Sequence, residues 1–337
     1  MLLGNLSNSI SSGRNKHRDA HGQYPVFGST GIIGYSSTYE YEGPVILVAR
    51  VGANAGTLNF ASGQYDVSDN TLIITIKQNV YDYNFAYNQL THYKLNKLVF
   101  GSGQPLITSK QLKNIRIPVP PLAEQRKIAE VLGVWDKAIE KQARLIEKLA
   151  LRKRALMQRL LSAKLRLPGF SEPWKKVKLG DVAELYQPQT IQSEDLSQTG
   201  YPVYGANGLI GYYNNYNHEY PQVVITCRGS SCGTVNFTPG KCWITGNAMV
   251  LNVDNNRDVN KSFFYYLISN SSFVNLISGS GQPQIVRQPL LKFELRIPPL
   301  KEQTAIAEVL TAADREIDLA KEKLELSLIH ISEPTRL

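Results

Sequence analysis

Cysteine is scarce in this chain of 337 residues, which has only three. Cys227, Cys232 and Cys242 all lie in the second half. Their spacing lacks the C-x2-C pair typical of structural zinc sites, and an odd number confined to one half argues against a disulfide framework. We therefore predict reduced thiols that serve packing.

Long apolar runs are also missing. No uninterrupted apolar stretch approaches the roughly 18 residues that span a bilayer, and no signal peptide or lipidation motif is evident. These absences predict a soluble cytoplasmic protein that does not use a membrane.

Several enzyme motifs are absent as well. The sequence has no G-x-x-x-x-G-K-[ST] phosphate loop, no Glu-x-Lys triplet, no complete G-x-G-x-x-G and no Asn/Asp-Pro-Pro-aromatic tetrapeptide. The first would serve ATP-driven translocation, the second a metal nuclease and the last an amino-methylating enzyme. We predict a protein that is not an enzyme and binds no metal or other cofactor of its own.

What the sequence does contain is a long heptad pattern that follows Pro120-Pro121. Apolar residues recur at alternating spacings of four and three, with two polar exceptions, at Ile128, Leu132, Trp135, Ile139, Gln142, Ile146, Leu149, Lys153, Leu156 and Leu160. This is the a/d seam of a coiled coil. It predicts a helix of roughly 40 residues and about 60 Å, in which Gln142 and Lys153 set the register.

A second heptad segment begins at Pro299 and repeats the first at an offset of 178. Its seam positions are Ile306, Leu310, Ala313, Ile317, Ala320 and Leu324. Residues 121–166 carry a net charge of +7 and residues 298–337 carry −3, so their flanks are complementary. We predict that the two helices pair in an antiparallel coiled coil, in which Ala313 or Ala320 leaves room for Trp135.

The remaining sequence is duplicated too. Residues 24–35 read YPVFGSTGIIGY and residues 201–212 read YPVYGANGLIGY, and GSGQP occurs before each long helix. Short β-branched runs separated by Gly, Asn, Asp and Pro predict β-rich domains, with one helix in each, at 84–92 and 261–268. The predicted fold class is α+β: two β-rich globular domains separated by a long antiparallel two-helix coiled coil, in a pseudo-two-fold tandem duplication. The predicted boundaries are 1–118, 119–166, 167–297 and 298–327, followed by an atypical tail, 328–337.

The order of variable domain, IPVPPLAEQRKIAEVL, variable domain and RIPPLKEQTAIAEVL resembles the specificity subunit of type I restriction-modification systems. The resemblance implies that each variable domain is a target recognition domain for half of a split sequence in double-stranded DNA. It implies that the helices dock two methyltransferase (modification) subunits, with restriction/translocase subunits as further partners. S-adenosylmethionine, ATP and Mg²⁺ are then expected on those partners only. The first domain lacks a counterpart of the Trp174 segment and the tail leaves the heptads after Ser327, which suggests truncation at both ends.

Candidate DNA-binding residues come from glycine-rich loops with amide and cationic side chains, which suit base edges and phosphates. They are Arg50, Asn54, Gln104 and Lys110 in the first domain and Arg228, Gln282, Gln284 and Arg287 in the second. The alternative is that GSGQP is only a structural turn. Candidate subunit-docking residues are Lys137, Lys141, Arg144, Lys148 and Arg152, which could equally form a solvated helix face.

We expect the helix pair to fix how many base pairs separate the two half-sites. Two other classes stay open: a coiled-coil scaffold whose domains bind protein or glycan, and a complete methyltransferase or nuclease with unrecognised motifs. Salt titration separates the first from a DNA reader, because DNA binding weakens steeply with ionic strength.

Overall fold

The computed structural model describes residues 1–101, 105–205, 208–279 and 281–332. The chain divides into two compact units, Met1–Ala138 and Ile139–Leu337. One long helix begins in the first unit and continues into the second.

The first unit is rich in short strands, and its elements follow in chain order: α1 Leu3–Leu6, β1 Ser7–Ser12, β2 Tyr24–Gly28, β3 Gly31–Ser36, β4 Tyr41–Glu42, β5 Val45–Ala49, β6 Leu58–Ala61, β7 Gln64–Val67, β8 Thr71–Ile76, α2 Tyr83–Tyr93, a 3-10 turn Leu95–Leu98, α3 Ser109–Lys113 and the start of α4 Leu122–Leu160. They form two four-stranded sheets with the orders β1-β8-β5-β6 and β3-β2-β7-β4.

Strand β5 shows why its sequence does not alternate between apolar and polar. Ile46 and Val48 pack in a core with α2 residues such as Phe85, whereas Val45 and Leu47 pack in a second core with Tyr65. A strand covered on both faces is apolar throughout. The first sheet therefore lies between the helices and the second sheet.

The second unit continues with the rest of α4 and these elements: β9 Lys175–Lys178, α5 Leu179–Val182, β10 Glu184–Tyr186, a 3-10 turn Ser193–Asp195, β11 Tyr201–Gly205, β12 Gly208–Tyr213, β13 Val223–Thr226, β14 Val235–Phe237, β15 Trp243–Ile244, β16 Ala248–Asn252, α6 Lys261–Ser269, a 3-10 turn Val274–Leu276, α7 Arg287–Leu291, β17 Glu294–Ile297 and α8 Leu300–Ser332. Its sheets have the orders β10-β16-β13-β14, β12-β11-β15 and β17-β9.

The two units share one topology. The parallel pair β2·β7 corresponds to β11·β15, and the β-bulge at Val26/Phe27 recurs at Val203/Tyr204. The α+β fold class and the tandem duplication are confirmed. The predicted helices 84–92 and 261–268 correspond to α2 and α6.

Helix α8 continues for five residues beyond its predicted end at Ser327. The heptad pattern stops there, but no glycine or proline interrupts the sequence before Pro334. Loss of the seam therefore does not end the helix, because only a breaker or a cap would.

Within the second unit, α4 and α8 pair in antiparallel orientation. The Gln142 side-chain amide donates to the Ala320 carbonyl at 2.8 Å, and further along α4 the Lys153 ammonium pairs with Asp314, which lies earlier on α8. Both polar seam residues thus contact the facing helix, which is how a register is fixed. In this pairing Ala320 lies opposite Gln142. The expectation that Ala313 or Ala320 leaves room for Trp135 stays a prediction.

Burial follows most of the predicted seam. Leu160, Ile306, Leu310, Ile317 and Ala320 are buried, and Leu132, Ile139, Ile146, Leu149, Ala313 and Leu324 are half-buried. Ile128 and Trp135, in the first unit, are 36% and 41% exposed.

Candidate nucleic-acid interface

In the first unit, the loop 50–54 lies against the segment that begins at Pro105. The Gly52 N–H donates to the Pro105 carbonyl at 2.9 Å, and the Ile107 N–H donates to the Arg50 carbonyl at 2.9 Å. Arg50 is half-buried, with Nη1 3.3 Å from the Ser12 hydroxyl. Asn54 is exposed.

The other two candidates of this unit differ. Lys110 is exposed on α3, whose N-terminus is fixed by a capping box between Thr108 and Gln111. Gln104 lies outside the described residues.

In the second unit, the equivalent loops bring three candidates together. The Gly229 N–H donates to the Pro283 carbonyl at 3.0 Å, and Arg228 forms a β-bridge with Gln284. Arg228, Gln282 and Gln284 are all exposed. Arg287 is also exposed, but it begins α7 and lines a separate recess with residues of α5.

The GSGQP turn has a structural role of its own. Gly279 has φ +95°, and a Cβ atom there would lie 2.4 Å from the Gln282 carbonyl oxygen, so only glycine fits. The turn therefore needs its glycine, while Gln282 beside it faces solvent.

The same bridge carries different side chains in the two units. Val51 pairs with Leu106 in the first unit, where Arg228 pairs with Gln284 in the second. An apolar pair and a cation–amide pair thus occupy equivalent β-bridges. These residue types contact different base edges.

A buried glutamine anchors the start of each long helix. The Gln125 amide donates to the carbonyls of Val80 and Pro120 at 2.9 and 2.8 Å and accepts from the Asp82 N–H at 2.9 Å. Gln303 makes the equivalent three bonds, to Asp258, Pro298 and Asn260. The repeated Glu-Gln dipeptide was visible in the sequence, but this role was not predicted from it.

A groove lies beside this anchor in both units. It measures about 680 Å³ in the first and about 360 Å³ in the second. Equivalent residues line the two grooves, namely Asp82 and Asn260, Ala129 and Ala307, Glu130 and Glu308, and Lys137 and Arg315. The duplication therefore presents the same kind of surface twice.

All five candidate docking cations are exposed: Lys137, Lys141, Arg144, Lys148 and Arg152. Arg144 pairs with Glu140 at 2.5 Å and Arg152 with Glu316 at 3.2 Å. Lys141 and Lys148 form no ion pair with a carboxylate in the part of the chain that the structure describes.

Over the described part of the chain, the thiols and the metal-ligating side chains form no metal centre. Cys227, Cys232 and Cys242 are free thiols, and burial raises the pKa of Cys227 to about 11. Among the described residues, no three His, Cys, Asp or Glu side chains could hold a metal ion together. No helix in the described ranges is long and apolar enough to cross a membrane.

Fold and site together define a duplicated binding protein, in which each β-rich domain precedes a long helix and carries its own pair of apposed loops. Residues 8–150 and 171–327 match the type I restriction modification DNA specificity domain, and the chain belongs to this family. Proteins of the family are the specificity subunits of type I restriction-modification systems, which recognise DNA and are not catalytic.

Known relatives span most of the chain. The type I restriction enzyme MjaVIII specificity subunit of Methanocaldococcus jannaschii is 24% identical over 324 residues, covering 83% of this chain and 74% of its own. The putative specificity subunit S.HindORF215P of Haemophilus influenzae is 22% identical and covers 97% and 90%. The crystal structure of the S subunit from M. genitalium has the same fold, with a TM-score of 0.72, 20% identity and coverage of 98% and 92%.

Proposed function

We propose that each unit reads one half of a split, asymmetric DNA target, with recognition domains at 1–118 and 167–297. One observation carries this proposal: the bridge formed by Val51 and Leu106 in one domain is formed by Arg228 and Gln284 in the other. The same frame with different side chains predicts two different half-sites.

The chemistry of the second domain is specific. A guanidinium such as that of Arg228 fits the O6 and N7 acceptors of guanine, and the amide of Gln284 fits the N6 and N7 edge of adenine. Arg287 would contact phosphate. In the first domain, Lys110 would contact phosphate and Asn54 would contact bases, while Arg50 supports the loop through Ser12. Gln104, which lies outside the described residues, is proposed as a base contact from its residue type alone.

The methylation pattern of cells that express the chain with its modification subunits tests this proposal. We expect a split motif with two unlike halves. The double variant Arg228→Val, Gln284→Leu, which copies the first domain, should change one half and leave the other intact. Asn54→Ala is the reciprocal control. A continuous motif, or a change in both halves, would contradict the proposal.

We propose further that the two equivalent grooves and the adjoining helix faces dock modification subunits, one at each groove. Support comes from the repetition of the groove and from the exposed cations Lys141 and Lys148 on α4. Restriction subunits would join through these partners.

Co-purification with the modification subunit tests the docking surface. Lys141→Glu with Lys148→Glu should weaken the complex at least tenfold if the cations meet an acidic surface. Lys175→Glu with Lys241→Glu, two exposed lysines of the same unit, should not. Equal retention by all variants would exclude these cations from the interface.

The spacer between the half-sites follows from the helices in this scheme. Inserting one heptad into α4 and one into α8 should lengthen the spacer and preserve both half-sites. An altered half-site would show that the helices do more than set the spacing.

A further inference from the structure

Strand β3 of the first unit and the equivalent strand β12 of the second unit both expose branched aliphatic residues near their starts. Ile32 and Ile33 on β3 are 54% and 39% exposed, and their counterparts Leu209 and Ile210 on β12 are 50% and 46% exposed. Strands β3 and β12 are edge strands. Exposed aliphatic residues at the same register in both units need an explanation.

Packing explains one residue of each pair. Ile33 lies over Gly28, where a Cβ atom would come within 2.6 Å of its side chain, and Ile210 lies over Gly205, with 3.1 Å. These isoleucines therefore close their own hairpins. Ile32 and Leu209 keep about half of their surface in solvent and are the residues that packing does not account for.

The hairpin of the first unit and the candidate DNA loop are linked through one backbone carbonyl. The Asn70 carbonyl accepts from the Arg50 N–H at 2.9 Å and from the Ser29 hydroxyl at 3.3 Å. Ser29 is in the hairpin turn, and Arg50 begins the candidate loop. In the second unit, the Asn247 carbonyl accepts from the Cys227 N–H at 3.0 Å, and this bond is equivalent to the one between Arg50 and Asn70.

Positive charge flanks the hairpin of the first unit. Arg18 lies across Gly34 of β3, where a Cβ atom would be 2.7 Å from the arginine side chain. Lys16 is exposed in the same segment, as is Arg14, which pairs with Glu40 at 3.5 Å. An aliphatic tip beside cations suits a surface that offers phosphates around an apolar contact.

We propose that Ile32 and Leu209 contact thymine methyl groups, each within the half-site of its own domain. The inference rests on the proposed function. The major groove admits a two-stranded ribbon and displays the thymine C5 methyl group, which takes apolar contacts. Because such a contact neutralises no phosphate, it adds affinity without adding to the salt dependence.

The test uses the chain assembled with its modification subunits and a duplex selected from a random library. Ile32→Ser should lower target affinity about tenfold, since the apolar surface that the contact would bury is lost, and leave the salt slope unchanged. Leu209→Ser should do the same for the other half-site. Ile32→Val and Leu209→Ile keep an aliphatic group and serve as matched controls, and thermal unfolding confirms the folding of every variant.

Replacing thymine by uracil in one half-site should weaken the wild-type complex and have no further effect on the matching serine variant. Serine variants that bind within twofold of the wild type, while the wild type still discriminates its target, would overturn this inference alone. Half-sites without an A·T pair would overturn the thymine contact. A wild-type complex that binds selected and scrambled duplexes equally would contradict the proposed function as well.

Discussion

Arg18 crosses Gly34 of β3 in the first unit, and Leu196 crosses Gly211 of β12 at the same point in the second. The segment around Arg18 also carries Arg14, Lys16 and one acidic residue, Asp19, whereas the segment around Leu196 carries Glu194 and Asp195. The two side chains occupy equivalent positions, but the segments that carry them have opposite net charge. The repeated backbone therefore fixes where a side chain lies, while the type of side chain differs between the units.

The starts of the two long helices show the same division. Gln125 and Gln303 are both buried and make equivalent bonds. The glutamates before them differ, because Glu302 is buried against the Arg166 guanidinium at 2.6 and 2.8 Å, while Glu124 is exposed. The glutamine has the same structural role in both units, whereas the glutamate is buried in an ion pair in the second unit and exposed in the first.

The largest effect is expected where the units agree. Gln125→Ala and Gln303→Ala each leave buried backbone groups without partners, so each should lower the free energy of unfolding by about 3 kcal/mol. Urea unfolding measures both, with Gln158→Ala, an exposed glutamine on α4, as the control. A large loss for only one anchor would break the equivalence of the two units.

The next prediction separates the units. Glu302→Gln leaves Arg166 without its carboxylate in a site where Glu302 is fully buried, and it should cost about 3 kcal/mol or slightly less. Glu124→Gln, the matched change at an exposed position, should stay within about 0.5 kcal/mol. Similar unfolding curves for the two variants would show that the Arg166 pair contributes little to stability.

Much of the frame could be predicted from the sequence, because the repeats and heptads are local patterns. The anchors could not. Gln303 bonds the Asp258 carbonyl, 45 residues away, and Arg166 meets Glu302 across 136 residues. No periodic sequence pattern indicates such distant pairs. The two halves of the sequence therefore show that the Glu-Gln dipeptide is repeated, but not what it contacts.

The candidate site was predictable only in part for the same reason. Arg228 and Gln284 lie in separate glycine-rich loops, and their residue types suggested DNA contacts. Their bridge depends on strand pairing between distant segments. The exposure of Ile32 depends on β3 being an edge strand, which a sequence rich in short strands does not specify.

The charge difference between the units predicts unequal salt dependence. Arg18→Gln should make the slope of log K against log salt shallower by about 0.9, the value for one phosphate contact. Leu196→Ala changes the equivalent position of the second unit without removing a charge and should leave that slope unaltered. Binding titrations of the assembled complex at several salt concentrations measure both. Equal slopes for wild type and Arg18→Gln would remove Arg18 from the phosphate contacts.

The smallest effect is expected at position 218, where the second unit has histidine and the first has Tyr41 at the equivalent bridge. His218 Nδ1 lies 2.6 Å from the Asn217 side-chain oxygen, which also accepts from the Ile244 N–H, so Nδ1 donates. The other ring nitrogen, Nε2, lies 2.9 Å from the Tyr186 hydroxyl. Burial lowers the pKa of His218, against a smaller opposing effect of Asp254.

The unfolded chain therefore takes up a proton near the ordinary pKa of 6.5, while the folded chain does so only at lower pH. The free energy of unfolding should fall as the pH drops below that value. His218→Tyr, which installs the residue of the first unit, should flatten this acid limb, and His92→Tyr, at an exposed site of α2, should not. Thermal unfolding between pH 7 and 5 measures the difference. Identical acid limbs for wild type and His218→Tyr would mean that the buried imidazole adds no pH dependence to the second unit.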